Sequence, residues 1–344
     1  AQNADLEFVV DEFSDLIGDI GIEFRLATKD PEGNCTYGVN RFSSDLSKMV
    51  STAGDNVSTV MNLASWDPKK YLNIWVVKEF IQLGGAGGGE TLAFAYPPGS
   101  HPIMDGIFCR YDYFGTMLGE DEGLHTLGHE MGHVFNLSHT WGPGELGLEE
   151  NCSLDDGVSD TPSTIGQFNC PLTIEEQEST ACVEGVLENV QNIMNYSNCK
   201  HMFTIGQSDR AVAAVNSLAG NRWYLWQESN LVATGTDNAT ISADPYAECS
   251  PIPQFVADKD IACAGQTVQF TNSSYNYRNE EITYTWSFDG AIPSQSTDEN
   301  PMVEYLTPGV YSVSLTACNG DLCRDVAVEN YVTVLSETML STET

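Results

Sequence analysis

The chain has 344 residues, 41% of them hydrophobic and 10% aromatic, which is enough for two domains with cores of their own. Fourteen basic residues against 49 acidic ones give a net charge of −35, so phosphate backbones and anionic membranes are poor partners. No run of eighteen apolar residues occurs, which excludes a membrane-spanning helix, and ten cysteines without a CxxC pair favour disulfides in an oxidising compartment over cytosolic thiols.

The N-terminus, AQNADLEFVV, lacks a basic and then apolar leader, so any signal or pro-segment is expected to have been removed already. LEFVVDEFSDLI is amphipathic, and GIEFRLAT (21–28) reads as a strand. YLNIWVV (71–77), short and rich in β-branched and aromatic residues, predicts a buried strand. LGGAGGGETLAFAYPPGS predicts a loop around a short strand, TLAFAY. It is not a P-loop, since no GK[ST] follows and no helix begins. Residues 123–137 are predicted helical. Residues 140–190, rich in Gly, Pro, Asp and Cys, are expected to be stapled rather than packed. Residues 205–228 predict one C-terminal helix, with Ser208 or Asp209 as its cap. The texture turns small and polar over 229–252, then strand-rich, with turn signals at short spacing. The expected organisation is therefore a first domain over 1–240, a linker over 241–252, a β-sandwich over 253–336 and a tail over 337–344.

The chemistry concentrates in GHEMGHVFNLSHTWG. Residues four apart share a helix face, so His129 and His133 can offer nitrogens to one ion. Glu130 projects about 100° around the axis, beside the metal rather than on it. A sharp turn would return His139 as third ligand. Three protein ligands with one open position define catalytic zinc, with Glu130 taking a proton from the zinc-bound water. His125 shares this face but has no glutamate after it, and reads as a rim residue. His101 and His201 read as surface residues.

HExxHxxxxxH followed by Met194 in NIMNYSNC resembles the metzincins, and the details are similar to the pappalysin-like (M43) peptidases. YLNIWVV, HTWG, DDGVSDTP (155–162) and MFTIGQ (202–207) support the likeness over roughly residues 5–240. The resemblance implies an α+β metzincin-like zinc protease fold: a twisted β-sheet, an active-site helix and a C-terminal helix. It implies that Met194 lies in the Met-turn beneath the ligands and that Tyr196 hydrogen-bonds the tetrahedral oxyanion. It implies calcium at Asp156, Val158 (through its carbonyl), Asp160 and Thr161, for which a solvated acidic turn is the competing reading. It also implies the disulfides Cys152–Cys182 and Cys170–Cys199. Pairing of Cys35, Cys109, Cys249, Cys263, Cys318 and Cys323 stays open. Asn136 stands where the family has glycine, and the turn is expected to survive because Asn tolerates the left-handed region. Relatives with an acidic residue between the Met-turn and the next cysteine prefer Arg or Lys after the scissile bond. Ser197–Asn198 offers no such carboxylate.

TYTWSFDG with PMVEYLTPGVYSVSLTACN resembles a PKD domain, an Ig-like β-sandwich, with Trp286 in its core and Pro308–Gly309 turning into the Tyr311 strand. Such a module would serve as a spacer or contact an extracellular polymer or surface. The function expected is a secreted zinc metallo-endopeptidase acting on protein or peptide substrates. From Glu79 to Cys199 there are 19 acidic residues and one basic residue, Arg110, so the field around the motif favours cationic peptides. The alternative, an adhesive protein with a degenerate zinc domain, is disfavoured by the intact set of His ligands, Glu130, Met194 and Tyr196.

Overall fold

The computed structural model describes residues 6–42, 44, 46, 50–51, 55–81, 91–99, 105–115, 120–177, 182–242, 244–247, 249–276 and 281–336. The glycine-rich stretch 82–90, His101 and the tail 337–344 lie outside the described residues. The chain divides into two units, Ala1–Arg25 with Ser44–Thr234 and Leu26–Ser43 with Gly235–Thr344.

The first unit begins with α1 (Asp11–Ser14), β1 (Ile17–Gly18), β2 (Val50–Ser51) and α2 (Asp55–Leu63). Next come β3 (Ile74–Val77), β4 (Phe80–Ile81), β5 (Ala93–Ala95), β6 (Ile107–Arg110) and α3 (Glu120–Val134). β6 is the centre of a three-stranded sheet, parallel to β3 and antiparallel to β5. Alternation along β6 divides its side chains between two cores. Phe108 faces α2, stacking on Trp75 with ring centroids 4.8 Å apart, beside Val57, Val60 and Met61. Ile107 and Cys109 face the other way, onto Val134, Leu137 and Met194 at the end of α3. The sheet thus supports the helix that carries the histidines.

After α3 the chain has little regular structure until β7 (Phe203–Thr204); the one α-helical turn described between them is α4 (Ile174–Gln177). Disulfides join Cys152 to Cys182 and Cys170 to Cys199 across this region. α5 (Ile205–Val215) then starts on a complete capping box: Thr204 accepts from the Gln207 amide, and the Gln207 side chain accepts from the Thr204 amide. The single helix expected over 205–228 is broken. Gly220 and Asn221 take left-handed φ of 59° and 61°, and the chain continues as α6 (Arg222–Leu225) and α7 (Glu228–Thr234). The cap is Thr204, not Ser208 or Asp209. The strand expected at GIEFRLAT is also absent: residues 19–27 take no regular form, and Phe24 and Leu26 are more than half exposed.

The second unit has α8 (Asn238–Ser242) and strands β8 (Phe255–Ala257), β9 (Ile261–Cys263), β10 (Gln266–Asn272), β11 (Thr283–Phe288) and β12 (Ala291–Ile292). These are followed by β13 (Gln295–Ser296), β14 (Met302–Tyr305), β15 (Gly309–Asn319) and β16 (Leu322–Leu335). They form two sheets, ordered β12-β14-β10-β8 and β13-β11-β15-β16-β9. Trp286 is fully buried between them against Phe270 and Phe288, and its indole N–H donates to the Asp298 carbonyl. Residues 26–43, expected in the first domain, belong to this unit. Cys35 is disulfide-bonded to Cys249, the buried Tyr37 hydroxyl pairs with Asn276, and the Tyr275 hydroxyl donates to the Val39 carbonyl. A disulfide across 214 residues and buried hydroxyl bonds hold the segment where local sequence cannot. Cys318 pairs with Cys323 across a hairpin turn, whereas Cys109 and Cys263 are free thiols, against the expectation from an even count.

Candidate metal and active site

α3 ends in a two-bond reversal. The Leu137 amide returns to the Gly132 carbonyl (2.9 Å) and the Asn136 amide to that of His133 (3.0 Å), with Asn136 at φ 69°. That is a Schellman closure with Asn at the position where glycine is usual. Asn136→Gly should therefore stabilise the unit by roughly 0.5–1 kcal/mol, read as a raised denaturant midpoint, because the left-handed strain is removed.

The reversal brings His139 back to His129 and His133, and one nitrogen from each lies within 4.8 Å of the others. His129 Nδ1 sits 2.8 Å from the Ile193 carbonyl, and His133 Nδ1 2.8 Å from that of Leu137. A carbonyl only accepts, so both Nδ1 atoms carry the proton and both Nε2 lone pairs are left for a ligand. His133 Nε2 and His139 Nε2 approach to 3.2 Å. Burial keeps all three rings neutral: it holds His129 well below its ordinary range, lowers His133 and takes His139 to about 3. Neutral imidazoles converging three to a point fit zinc with one position left open.

Glu130 is 6% exposed and accepts from the Ala95 amide of β5, while its Oε2 is buried with no hydrogen-bond partner. Burial pushes its carboxyl up to about 8, and a dication beside it would act in the opposite sense. A buried carboxylate oxygen left unpaired calls for a partner that the described residues do not supply. Met194 is fully buried below the ligands. A Cβ on Gly132 would meet its sulfur at 2.3 Å, so only glycine fits between His129 and His133 on that side. The Tyr196 ring lies 5.3 Å from that of His129 and 4.9 Å from that of His139, and is 39% exposed. Burial, then the Glu130 charge, push its phenol up to about 12, so it remains a donor at neutral pH. Trp141 stacks on His139 at 4.3 Å and braces it from behind. His201, expected on the surface, is half-buried, and its ring meets that of His125 at 5.8 Å.

Two residues that sequence reasoning passed over connect this site to α5. The buried amides of Asn192 and Gln207 bond each other in both directions, at 2.8 and 3.1 Å. Asn192 Oδ1 also accepts from the Met194 amide, and Gln207 Oε1 from the Thr204 amide. Ile193, whose carbonyl holds His129, lies between these anchors. Asn192 and Gln207 fall in NIMNYS and MFTIGQ, yet no periodicity reveals a pair fifteen residues apart.

In the loop of the expected calcium ligands, Asp156 Oδ1 accepts from the Val158 amide and the Thr161 hydroxyl, and its Oδ2 is buried without a partner among the described residues. The Thr161 hydroxyl also lies 2.6 Å from the Val158 carbonyl. Asp160 points elsewhere: its oxygens accept from the Thr204 hydroxyl and the Gly206 amide at the start of α5.

A family model described as pregnancy-associated plasma protein-A, of the M43 peptidases, matches residues 55–216, and a PKD-domain model matches residues 249–334. An extracellular metalloprotease of Neurospora crassa is 31% identical over 164 residues, 44% of this chain and 50% of that protein. Another, of Podospora anserina, is 33% identical over 148 residues, 41% of this chain and 45% of that protein. The chain thus matches about half the length of these relatives or less. Among solved structures, mature mirolysin of Tannerella forsythia, in complex with a cleaved peptide, aligns with a TM-score of 0.54 at 31% identity, covering 67% of this chain and 84% of that one. With a converging three-histidine site on an M43-matching stretch, and this likeness over most of mirolysin, the chain belongs to the pappalysin-like (M43) metallopeptidase family and carries a C-terminal PKD domain.

Proposed function

We propose that the protein is a zinc endopeptidase acting outside the cell, with Glu130 as general base and Tyr196 as oxyanion donor. One observation carries this reading: three neutral imidazoles converge beside a buried carboxylate whose Oε2 has no partner. Zinc held by His129, His133 and His139 would lower the pKa of a water to about 7 and polarise a carbonyl at its open position. Glu130 Oε2 takes the proton of the attacking water and returns it to the leaving amine, while Ala95 fixes its other oxygen. The Tyr196 hydroxyl, protonated at neutral pH, donates to the developing oxyanion. Among the described residues β5 is a sheet edge, which offers an extended peptide a strand to pair with. Four disulfides and the extracellular relatives support action in an oxidising exterior. The catalytic domain is read as ending at about residue 240, shortly after the chain re-enters the second unit at Gly235, with the PKD domain as a spacer or a contact to an extracellular polymer.

The test is cleavage profiling of a peptide library by the full chain, with and without a zinc chelator. Chelator-sensitive cuts at internal bonds support the reading; a chain that cuts nothing, or cuts equally well without zinc, overturns it.

We also infer a calcium site built on Asp156 with the oxygens of Val158 and Thr161, supported by the unpaired Asp156 Oδ2. Calcium should raise the melting temperature of wild type by a few degrees, and that rise should vanish in Asp156→Asn. Equal shifts in both proteins would remove calcium from this loop.

A further inference from the structure

Phe168 keeps its ring 61% exposed in a segment whose backbone is firmly held. The Ile165 carbonyl accepts from the Gly147 amide (2.8 Å) and from the Asn151 side chain (2.9 Å). Gly166, at φ 74°, packs on Trp141, where an added Cβ would come within 2.5 Å of the indole. The Phe168 carbonyl accepts from the Asn198 amide (3.3 Å), and Cys170 is disulfide-bonded to Cys199. An anchored backbone thus presents a large apolar ring to water, which is unfavourable until something covers it.

The ring adjoins the site. It lies nearly parallel to that of Tyr196, with an interplanar angle of 20° and centroids 6.2 Å apart. Tyr196, itself half-buried, contacts the rings of His129 and His139, and Trp141 meets it edge-on at 4.9 Å. Phe168 is therefore one ring removed from the ligands, beside the oxyanion donor. Residues 163–170 (STIGQFNC) and 195–199 (NYSNC) contain no charged side chain, in a chain of net charge −35. An extended peptide advances about 3.3–3.6 Å per residue, so a side chain flanking the scissile bond can reach this ring.

We propose that Phe168 is a specificity-determining residue, whose exposed ring selects peptides with a large apolar side chain (Leu, Met or Phe) next to the scissile bond. The proposal rests on the endopeptidase reading above. Covering the ring removes apolar surface of both partners from water, a gain that grows with the area covered. A small polar side chain covers less and gives up its own hydration. A cation gains only the weak attraction of an exposed aromatic face, since neither segment supplies a carboxylate. The diffuse acidic field, screened beyond about 8–10 Å at ordinary salt, acts on the peptide as a whole and does not choose the side chain at one position.

The experiment uses the zinc-loaded full chain and peptides of one sequence, with Leu, Met, Phe, Ser, Lys or Glu at either position flanking the scissile bond. Wild type should cleave the Leu, Met or Phe peptides with a kcat/KM on the order of tenfold above the Ser peptide at one of these positions. Phe168→Ala should level that preference while cleavage of the Ser peptide, melting curve and zinc content stay unchanged. Phe168→Glu should turn the preference towards Lys. If Phe168 merely steadied Tyr196, Phe168→Ala would slow all the peptides by one factor and keep their order. That outcome, a basic or no preference in wild type, or an unchanged preference in Phe168→Ala overturns the proposal and leaves the endopeptidase reading standing. If no peptide is cut, both fall.

Discussion

Glu130→Gln should lower peptide cleavage by about 10²–10⁴-fold while zinc content and melting temperature stay within error of wild type. Glutamine keeps the volume of the buried side chain and an oxygen for the Ala95 amide, so neither packing nor that bond is lost. What disappears is the basic oxygen beside the three histidines, because an amide accepts no proton at neutral pH. Glu130 is not among the proposed zinc ligands, so metal affinity should hold. A glutamine variant that cleaves as fast as wild type would show that another group takes the proton. A variant that loses zinc would place Glu130 among the ligands.

Gln207→Ala should destabilise the first unit by about 2–4 kcal/mol and weaken zinc binding by roughly tenfold or more. The substitution removes both bonds to Asn192 and the acceptor for the Thr204 amide, leaving buried polar groups with no water to replace them. The second effect travels through a short path. Asn192 holds the Met194 amide, and between them the Ile193 carbonyl orients His129 through Nδ1. Loosening Asn192 therefore frees the ligand ring that this carbonyl aligns. Denaturant midpoints with and without zinc, and competition with a chelating dye, separate the two effects. Loss of stability with unchanged zinc affinity would reduce the amide pair to packing alone.

These expectations differ in how far they were legible before the fold was known. The ligand set was readable because helical periodicity turns a spacing of four into a shared face, and because the residues between His133 and His139 allow a reversal. Even Asn136 was readable, since it is the substitute that the left-handed closing position tolerates best. The sandwich was readable from alternation, and Trp286 lies in its core as the PKD resemblance implies. Other readings failed where a local pattern met a non-local partner. GIEFRLAT alternates like a strand but forms no regular pairing, and residues 26–43 leave the first unit because Cys35 and Tyr37 find Cys249 and Asn276 more than two hundred residues away. The helix expected over 205–228 ended early because two consecutive residues, Gly220 and Asn221, turn left-handed.

The chemistry, three histidines and a glutamate set by a helix and the turn that ends it, follows from local geometry within eleven residues. The groups that orient that chemistry come from distant segments and emerge with the fold. Ile193 and Leu137 select the tautomers, and Asn192 and Gln207 anchor the turn under the site. The reason is physical. Ligand identity follows from side-chain type and short-range geometry, whereas hydrogen-bond partners and fields are set by which distant segments the core and the disulfides bring together.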